Sequence, residues 1–128
     1  MKPAGGYLKK FLRVDLSSMQ AKEEELRDEI LEKYVGGTGI AARYLYDEVP
    51  PGVEWNDPKN RLIFFSGPLG ATRISGTGTF SVLTRGPMTN MAGSSQANGL
   101  FGAYLKLSGF DGFLVQGGAS HWVYLYIH

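Results

Sequence analysis

The chain has 128 residues, 43% of them hydrophobic, and a formal net charge of +1. This composition is sufficient for one domain, or part of one, with a packed core, and it excludes a largely disordered chain. Thirteen basic residues balance 12 acidic ones, which excludes a large basic field for nucleic acid and an acidic tail for a cationic partner.

The chain contains no cysteine. This excludes a disulfide scaffold and any iron–sulfur or zinc-thiolate site formed by these residues alone, and it fits a reducing cytoplasm. The first six residues lack the apolar core of a signal peptide. The longest apolar run, Trp122–Ile127, is far shorter than the ~20 residues that span a bilayer. We therefore expect a cytoplasmic protein with no membrane partner.

The first predicted elements are a strand and an amphipathic helix. Leu8–Leu16 alternates imperfectly between apolar and polar residues, which predicts the strand. Glu25–Val35 carries apolar residues at helical spacing with acidic residues between them, which predicts the helix. The apolar positions of this helix are Leu26, Ile30, Tyr34 and Val35. Met19–Glu24 lies between the two elements and fits either a strand that pairs back or the beginning of the helix.

Glycines and prolines mark the ends of the helices. Gly36 and Gly37 are expected to end the first helix, because glycine readily adopts the left-handed conformation of a C-cap. Thr38 is expected to cap a second helix over Ile40–Tyr46. The prolines that follow at positions 50 and 51 end that helix and open a loop that runs to Asn60.

Four further strands and one short helix are predicted after this loop. The strands are Arg61–Ser66, Phe80–Thr84, Phe113–Gln116 and Trp122–Ile127, and the helix is Phe101–Ser108. Because strands and helices do not alternate strictly, the predicted fold class is α+β, with mixed, mostly antiparallel sheet and a few short helices. The last predicted strand ends without a closing turn, so we expect residues 1–128 to form one domain truncated at its C-terminal end.

Glycine is concentrated in Gly67–Gly118, which holds 12 of the 18 glycines and four charged residues. Average glycine usage is about 7%. The stretch keeps its apolar residues, and glycine among ordered apolar residues indicates tight turns or close approach of the backbone to a partner. We therefore predict that main-chain N–H groups here hold a polyanionic or flat organic ligand.

Two segments of this stretch are candidate ligand sites. The segment from Gly76 to Thr79 leads into a strand and forms either a nest of N–H donors for phosphate or a hairpin turn. The segment from Ser94 to Gly102 runs into a helix N-terminus, which favours an anion; the alternative is an ordinary cap with Asn98 as the capping residue. The residues predicted to bind the ligand are Gly76, Thr77, Gly78, Thr79, Ser95, Gln96, Ala97, Asn98 and Gly99.

The chain offers no acid–base pair. His121 and His128 flank the last predicted strand and are expected at the surface. Asp111 lies in a Gly-Phe-Asp-Gly turn, where aspartate mainly satisfies local backbone donors. Asp47 and Glu48 are expected at a solvated helix end. With no Ser/His/Asp arrangement and no metal-ligand spacing, we predict neither catalytic nor metal-binding residues in this chain.

Eight segments carry a resemblance to a known family. They are Leu12–Ser17, Tyr34–Gly39, Tyr46–Gly52, Asn60–Leu69, Thr84–Thr89, Phe101–Lys106, Gly109–Gly112 and Val123–Ile127. In this order they resemble the N-terminal domain of the aldehyde ferredoxin oxidoreductase family, the tungsten-pterin enzymes. Ordered agreement over nearly the whole chain is more specific than any single motif.

The resemblance implies a bis-pyranopterin cofactor of tungsten, or molybdenum, that lies on this domain over the glycine-rich half. It implies an oxidoreductase that interconverts an aldehyde and a carboxylic acid and exchanges electrons with ferredoxin or a related carrier. The iron–sulfur ligands and the acid–base groups would belong to later domains. This chain alone is therefore expected to be inactive, and to self-associate through apolar surface that those domains would cover.

Some positions depart from the family pattern, which indicates a divergent subfamily. Thr79 and Thr38 stand where the family has arginines, Gln96 stands for an asparagine, and Asn98-Gly99 stands for two glycines. Loss of a charge-assisted contact to phosphate costs roughly 1.5–3 kcal/mol, and Arg73 or Arg85 is a candidate to compensate. Two alternatives from other classes stay open: a non-catalytic binding module for a phosphate-bearing ligand, and a structural or dimerisation domain.

Overall fold

The computed structural model describes residues 5–128. Within this range the chain forms six strands and three helices. The elements are β1 (Lys10–Asp15), β2 (Gln20–Glu25), α1 (Asp28–Tyr34), α2 (Gly37–Glu48), β3 (Leu62–Ser66), β4 (Phe80–Arg85), β5 (Ala92–Ala97), α3 (Phe101–Leu107) and β6 (Gly112–Gln116).

All six strands belong to one sheet, in the order β2-β1-β6-β3-β4-β5. Four of the five neighbouring pairs are antiparallel, and β1 and β6 run parallel. The predicted α+β class with mixed, mostly antiparallel sheet is therefore confirmed.

The helices α1 and α2 cover one face of the sheet, called the helix face below. Ile63 and Phe65 of β3 point into this face and are fully buried, because alternate residues of a strand point to the same side. Ile30 and Tyr34 of α1 pack against the same core, and Leu26, just before α1, is fully buried within it. The predicted packing of these three residues is therefore confirmed, but Leu26 precedes the helix instead of lying within it.

The opposite face of the sheet, called the open face, is covered only in part. Leu105 of α3 packs there with Phe113 of β6 in a second, smaller core. The ring of Phe101 at the start of α3 lies 4.7 Å from that of Phe80 on β4. After β6 the chain returns across this face, where Ile127 contacts the second core.

The prediction of a strand over Trp122–Ile127 is wrong. This segment has no strand assignment in the described range, because no other strand pairs with its backbone. Its side chains still alternate: Trp122 and Tyr124 are almost fully exposed, whereas Val123 and Leu125 are 37% and 43% exposed and line a hollow beside β1 and β2. The residue types favour a strand, but a strand also needs a neighbour to supply its hydrogen bonds.

The strands β2 and β5 extend the prediction: β2 decides between two alternatives, and β5 was not predicted. Met19–Glu24 fitted either a strand or the beginning of a helix, and it falls in β2, which pairs with β1 along its whole length. The strand β5 was not predicted, because its small residues lack both alternation and β-branching. It forms by pairing in register with all of β4, and each of its six residues is exposed.

The junction of α1 and α2 also differs from the prediction. Val35, not a glycine, is the C-cap residue of α1, with a positive φ of 61°. Gly36 is the N-cap of α2, and Thr38 lies in the first turn without a capping hydrogen bond. A Cβ on Gly36 would lie 2.9 Å from the Cα of Gly67. Glycine therefore lets this junction pack directly on the loop that follows β3.

Candidate functional site

Two connections of the sheet meet at one end of β4. One is the loop from residue 67 to residue 79, which joins β3 to β4, and the other is the short link from residue 98 to residue 100, which joins β5 to α3. Together they form an open hollow of about 460 Å³, called the loop hollow below. Its lining residues are Ala71, Thr72, Ile74, Gly76, Thr77, Gly78, Asn98, Gly99, Leu100 and Ala103. None of these residues carries a charge.

The two connections touch each other through glycine. A Cβ on Gly78 would lie 1.6 Å from the carbonyl oxygen of Gly99, and a Cβ on Gly102 would lie 2.5 Å from the carbonyl oxygen of Gly78. Both distances are below the 3.0 Å that real Cβ atoms keep. Glycine at these positions therefore allows two backbones that are distant in sequence to form one wall.

Two glycines leave the wall bare on the side of the hollow. Gly76 and Gly99 have positive φ angles of 80° and 125°. A Cβ on either residue would have no atom within 4 Å, so a side chain there would extend into open space. The side of the wall that a side chain would occupy is thus open at both residues, and a flat organic group or a phosphate fits such a wall, because glycine lets it approach the main chain closely.

The hydroxyl groups of the loop hold its own backbone. Thr77 Oγ1 donates a hydrogen bond to the carbonyl oxygen of Ile74 at 2.9 Å. Thr79 Oγ1 lies 3.5 Å from the carbonyl oxygen of Gly76. The segment from Gly76 to Thr79 is therefore the end of a long ordered loop between antiparallel strands, not a tight hairpin turn. The nest of phosphate-binding donors stays a prediction.

The structure brings together most of the residues predicted to bind the ligand. The five that line the loop hollow are Gly76, Thr77, Gly78, Asn98 and Gly99, and Thr79 adjoins them. Ser95, Gln96 and Ala97 lie outside the lining, on β5. The expectation that the segment from Ser94 runs directly into a helix is wrong for these residues, because they pair with β4.

The alternative in which Asn98 caps α3 is also wrong. Leu100 occupies the N-cap position of α3, and no side chain makes a capping hydrogen bond there. Asn98 Oδ1 instead accepts a hydrogen bond from the backbone N–H of Gly99 at 2.8 Å. The amide of Asn98 thus shapes the link at the edge of the loop hollow.

Gln96 reaches a second polar patch on the helix face. Its Nε2 lies 3.4 Å from Ser81 Oγ, and Thr38 Oγ1 lies 3.5 Å from Ser94 Oγ beside it. A Cβ on Gly37 would lie 3.0 Å from Ser81 Oγ. The glycines around Thr38 are the sequence signal for this close approach of α2 to the strands, in addition to their predicted place at the helix ends.

Asp111 and Lys106 form a buried ion pair, with 2.7 Å between Nζ and Oδ1. Asp111 Oδ2 accepts hydrogen bonds from the backbone N–H groups of Leu8 and Lys9, at 2.9 and 2.7 Å. The expectation that Asp111 satisfies local donors is therefore wrong. Lys106 also donates to the carbonyl oxygen of Gly6, so the pair fixes the segment from residue 6 to residue 9 against the sheet.

Glu48 links α2 to the strands. It forms ion pairs with Arg13 and Arg61, at 2.7 and 3.0 Å, and its side chain is 22% exposed. The expected solvated position is therefore wrong for Glu48, whereas Asp47 pairs with Arg43 in a half-exposed i,i+4 bridge. Burial raises the pKa of Glu48, but the hydrogen bonds and charges of the two arginines together lower it by more than burial raises it. The pKa of Glu48 therefore lies below its usual value. This cluster lies at the end of β3 opposite the loop hollow.

The rest of the described chain offers no stronger candidate. His121 and His128 are exposed, and no three His, Cys, Asp or Glu side chains within residues 5–128 are grouped to bind a metal ion. No helix of the same range is long and apolar enough to cross a bilayer. Three other hollows, of about 330, 430 and 660 Å³, are lined mainly by bulky side chains instead of bare backbone. The loop hollow is therefore the candidate functional site.

The sequence matches one family model and several curated proteins. The model is described as aldehyde ferredoxin oxidoreductase, N-terminal domain, and matches residues 11–128. The tungsten-containing aldehyde ferredoxin oxidoreductase of Pyrococcus abyssi is 40% identical over 123 residues, which are 96% of this chain and 20% of that protein. The aliphatic sulfonate oxidoreductase, WOR-like subunit, of Pyrococcus furiosus is 35% identical over 125 residues, 95% of this chain and 20% of that protein.

A solved structure has the same fold. It is the active site complex BamBC of benzoyl coenzyme A reductase in complex with 1,5-dienoyl-CoA, with a TM-score of 0.93 and 34% sequence identity. The match covers 96% of this chain and 19% of that one. The chain thus spans about a fifth of the length of the proteins that it matches.

Proposed function

Because the chain belongs to the aldehyde ferredoxin oxidoreductase family, as its N-terminal domain, we propose that it cradles a bis-pyranopterin cofactor of tungsten, or molybdenum. The full-length protein would interconvert an aldehyde and a carboxylic acid. The observation that supports the cradle is the loop hollow, whose wall is bare, uncharged backbone at Gly76 and Gly99. A flat pterin and its phosphate fit such a wall better than they fit a wall of bulky side chains.

The residues of the loop hollow would hold the cofactor, and the cofactor when bound would supply the two-electron redox chemistry. Gly76 and Gly99 would let the ligand approach the main chain, and Gly78 would keep the two connections in contact. Thr77 and Asn98, whose side chains already hold the backbone of the two connections, would fix the shape of the wall before the ligand arrives. This domain would then bind and orient the cofactor and contribute no catalytic residue.

Other parts of the full-length protein complete the proposal. The matched relatives are about five times longer than this chain, and their later domains would provide the iron–sulfur ligands and the acid–base groups. The electrons would pass to ferredoxin or a related carrier in the cytoplasm. The proposal of an aldehyde substrate rests on the names of two relatives. Another relative is named for aliphatic sulfonates.

The experiment measures tungsten, molybdenum and pterin in the purified full-length protein that carries this domain. We expect both the metal and pterin in the unaltered protein, and loss of both in Gly99→Val and in Asn98→Tyr. Asn98→Tyr fills the loop hollow without the strain of a side chain at the positive φ of Gly99, and it also removes the hydrogen bond that Asn98 Oδ1 accepts from the N–H of Gly99. Gly67→Ala is the control in the same loop, because a Cβ there has open space around it.

Two other results would contradict the proposal. Normal metal and pterin content in both bulky variants would contradict the cradle at the loop hollow. A full-length protein that never contains metal or pterin would favour a non-catalytic binding module or a structural domain. Circular dichroism of every variant checks that the domain has folded.

A further inference from the structure

The lining of the loop hollow contains no cation, although the proposed ligand carries phosphate. Backbone N–H groups bind phosphate, but a charge-assisted hydrogen bond is roughly twice as strong as a neutral one. Between residues 67 and 116 the sequence has three basic residues, Arg73, Arg85 and Lys106. The structure distinguishes among these three by their partners and their positions.

Two of the three cations are already engaged. Lys106 is buried in its ion pair with Asp111. Arg85 Nε donates to the carbonyl oxygen of Asn90 at 2.8 Å, and a second nitrogen of Arg85 donates to that of Pro50 at 3.3 Å. Arg85 also ends β4, whereas the loop hollow lies where β4 begins, about 17 Å away at ~3.3 Å per residue. Neither side chain is available to a ligand in the hollow.

Arg73 is the remaining cation. It is exposed, and its side chain makes no hydrogen bond or ion pair with any residue from 5 to 128. Its two neighbours, Thr72 and Ile74, both line the loop hollow, so its Cα lies about 3.8 Å from the Cα of each. Thr72 Oγ1 donates to the carbonyl oxygen of Leu69 at 2.7 Å. Arg73 thus stands between two lining residues on an ordered backbone, and its guanidinium has no partner among the described residues.

We propose that Arg73 binds the phosphate of the ligand held in the loop hollow, an inference that rests on the proposed function. A guanidinium offers two parallel N–H donors to phosphate oxygens, a geometry that lysine does not reproduce. Arg73 is a binding residue: it fixes the phosphate end of the cofactor, and the bare glycine wall receives the rest. Arg73 would supply the positive charge that the hydroxyl of Thr79 cannot supply. Thr79 Oγ1 lies 3.5 Å from the carbonyl oxygen of Gly76, within its own loop.

The first experiment titrates inorganic pyrophosphate into the 128-residue chain and follows backbone amide signals by nuclear magnetic resonance. We expect shifts at Gly76, Gly78 and Gly99, and an affinity at least about tenfold lower in Arg73→Gln. Arg73→Lys should lie between the two, because it keeps the charge and loses the paired donors. Arg27→Gln is the matched control, since Arg27 is an exposed arginine just before α1 that does not line the loop hollow.

The second experiment measures pterin and metal in the full-length protein with Arg73→Gln or Arg27→Gln. We expect lower pterin content in the first variant alone, and a loss of pterin in high-salt washes that is larger in the unaltered protein than in Arg73→Gln, because salt screens the contact that the variant lacks. Equal pyrophosphate affinity in Arg73→Gln and the unaltered chain would overturn the role of Arg73, and so would the absence of any response in the unaltered chain.

The outcomes separate this inference from the proposed function. If Arg73→Gln weakens pyrophosphate binding but leaves pterin content unchanged, the phosphate belongs to another ligand and the inference is wrong. If the unaltered full-length protein contains pterin while Arg73 has no effect in either experiment, the cradle stands and Arg73 is not part of it. If the unaltered full-length protein contains no pterin, the proposed function itself fails.

Discussion

Gly78→Ala tests the contact that builds the loop hollow. The added Cβ would lie 1.6 Å from the carbonyl oxygen of Gly99, so the two backbones must separate by at least about 1.4 Å to reach the 3.0 Å limit. Overpacking typically costs about 1–3 kcal/mol, and a main-chain carbonyl cannot rotate away as a side chain does. We therefore expect a loss of about 2–3 kcal/mol in the free energy of unfolding, which lowers the Tm by roughly 6–12 °C for a domain of this size.

The assay is urea denaturation of the 128-residue chain, with amide spectra of the folded variants. Gly67→Ala is the matched control in the same loop, because its Cβ meets nothing within 4 Å and its backbone is not left-handed. We expect it to be neutral or to stabilise the chain by about 0.4–1 kcal/mol. If Gly78→Ala unfolds at the same urea concentration as the unaltered chain, with unchanged signals at Asn98 and Gly99, the contact does not exist and the hollow is differently built.

Three further predictions concern the rest of the domain. Glu48→Gln should lower the free energy of unfolding by about 2 kcal/mol at pH 7. The pKa of Glu48 in the folded chain lies below its ordinary 4.5, so the difference from the unaltered chain should shrink as the pH falls below 4.5. A pH-independent difference in urea titrations would contradict this prediction. The 128-residue chain should self-associate in light scattering, because the edge strand β5 has no charge or proline to prevent pairing with another chain. Ser95→Lys should reduce the association, and a monomer at every concentration would refute the prediction. The same chain should show no aldehyde-dependent dye reduction, and turnover would overturn the assignment of the catalytic groups to later domains.

The elements with bulky apolar residues could be predicted from the sequence. Strands such as β3 and helices such as α1 carry their own periodicity, and their observed ends lie within three residues of the predicted ones. The strand β5 could not be predicted, because Ala, Gly, Ser and Gln have no local preference for a strand. Trp122–Ile127 shows the reverse case: it has the preference and lacks a paired neighbour among the described residues. In both cases the outcome depends on pairing between distant segments, which periodicity does not report.

The candidate site was predictable in its segments and not in its geometry. Glycine density identified both connections of the loop hollow, because glycine marks the places where a backbone approaches something closely. The sequence could not indicate that Gly78 packs against Gly99, nor that Gln96 faces the helices instead of the hollow. The side to which Gln96 points is set by its register with Ser81 on β4, since a shift of one residue reverses the face.

Under the proposed function, a wall made of backbone would also explain how this chain keeps the fold with Thr79 in place of the arginine that the family resemblance implies. The fold match to a distant solved structure has a TM-score of 0.93 at 34% identity, so the main chain is retained while most side chains differ. Substitution of a side chain leaves the N–H groups of the wall in place and removes only a charged contact, at a cost of roughly 1.5–3 kcal/mol. Under the proposed function, one arginine beside the hollow would restore that charge, and Arg73 is the proposed residue. Binding by main chain would then allow the charged contact to move along the loop without rebuilding the hollow.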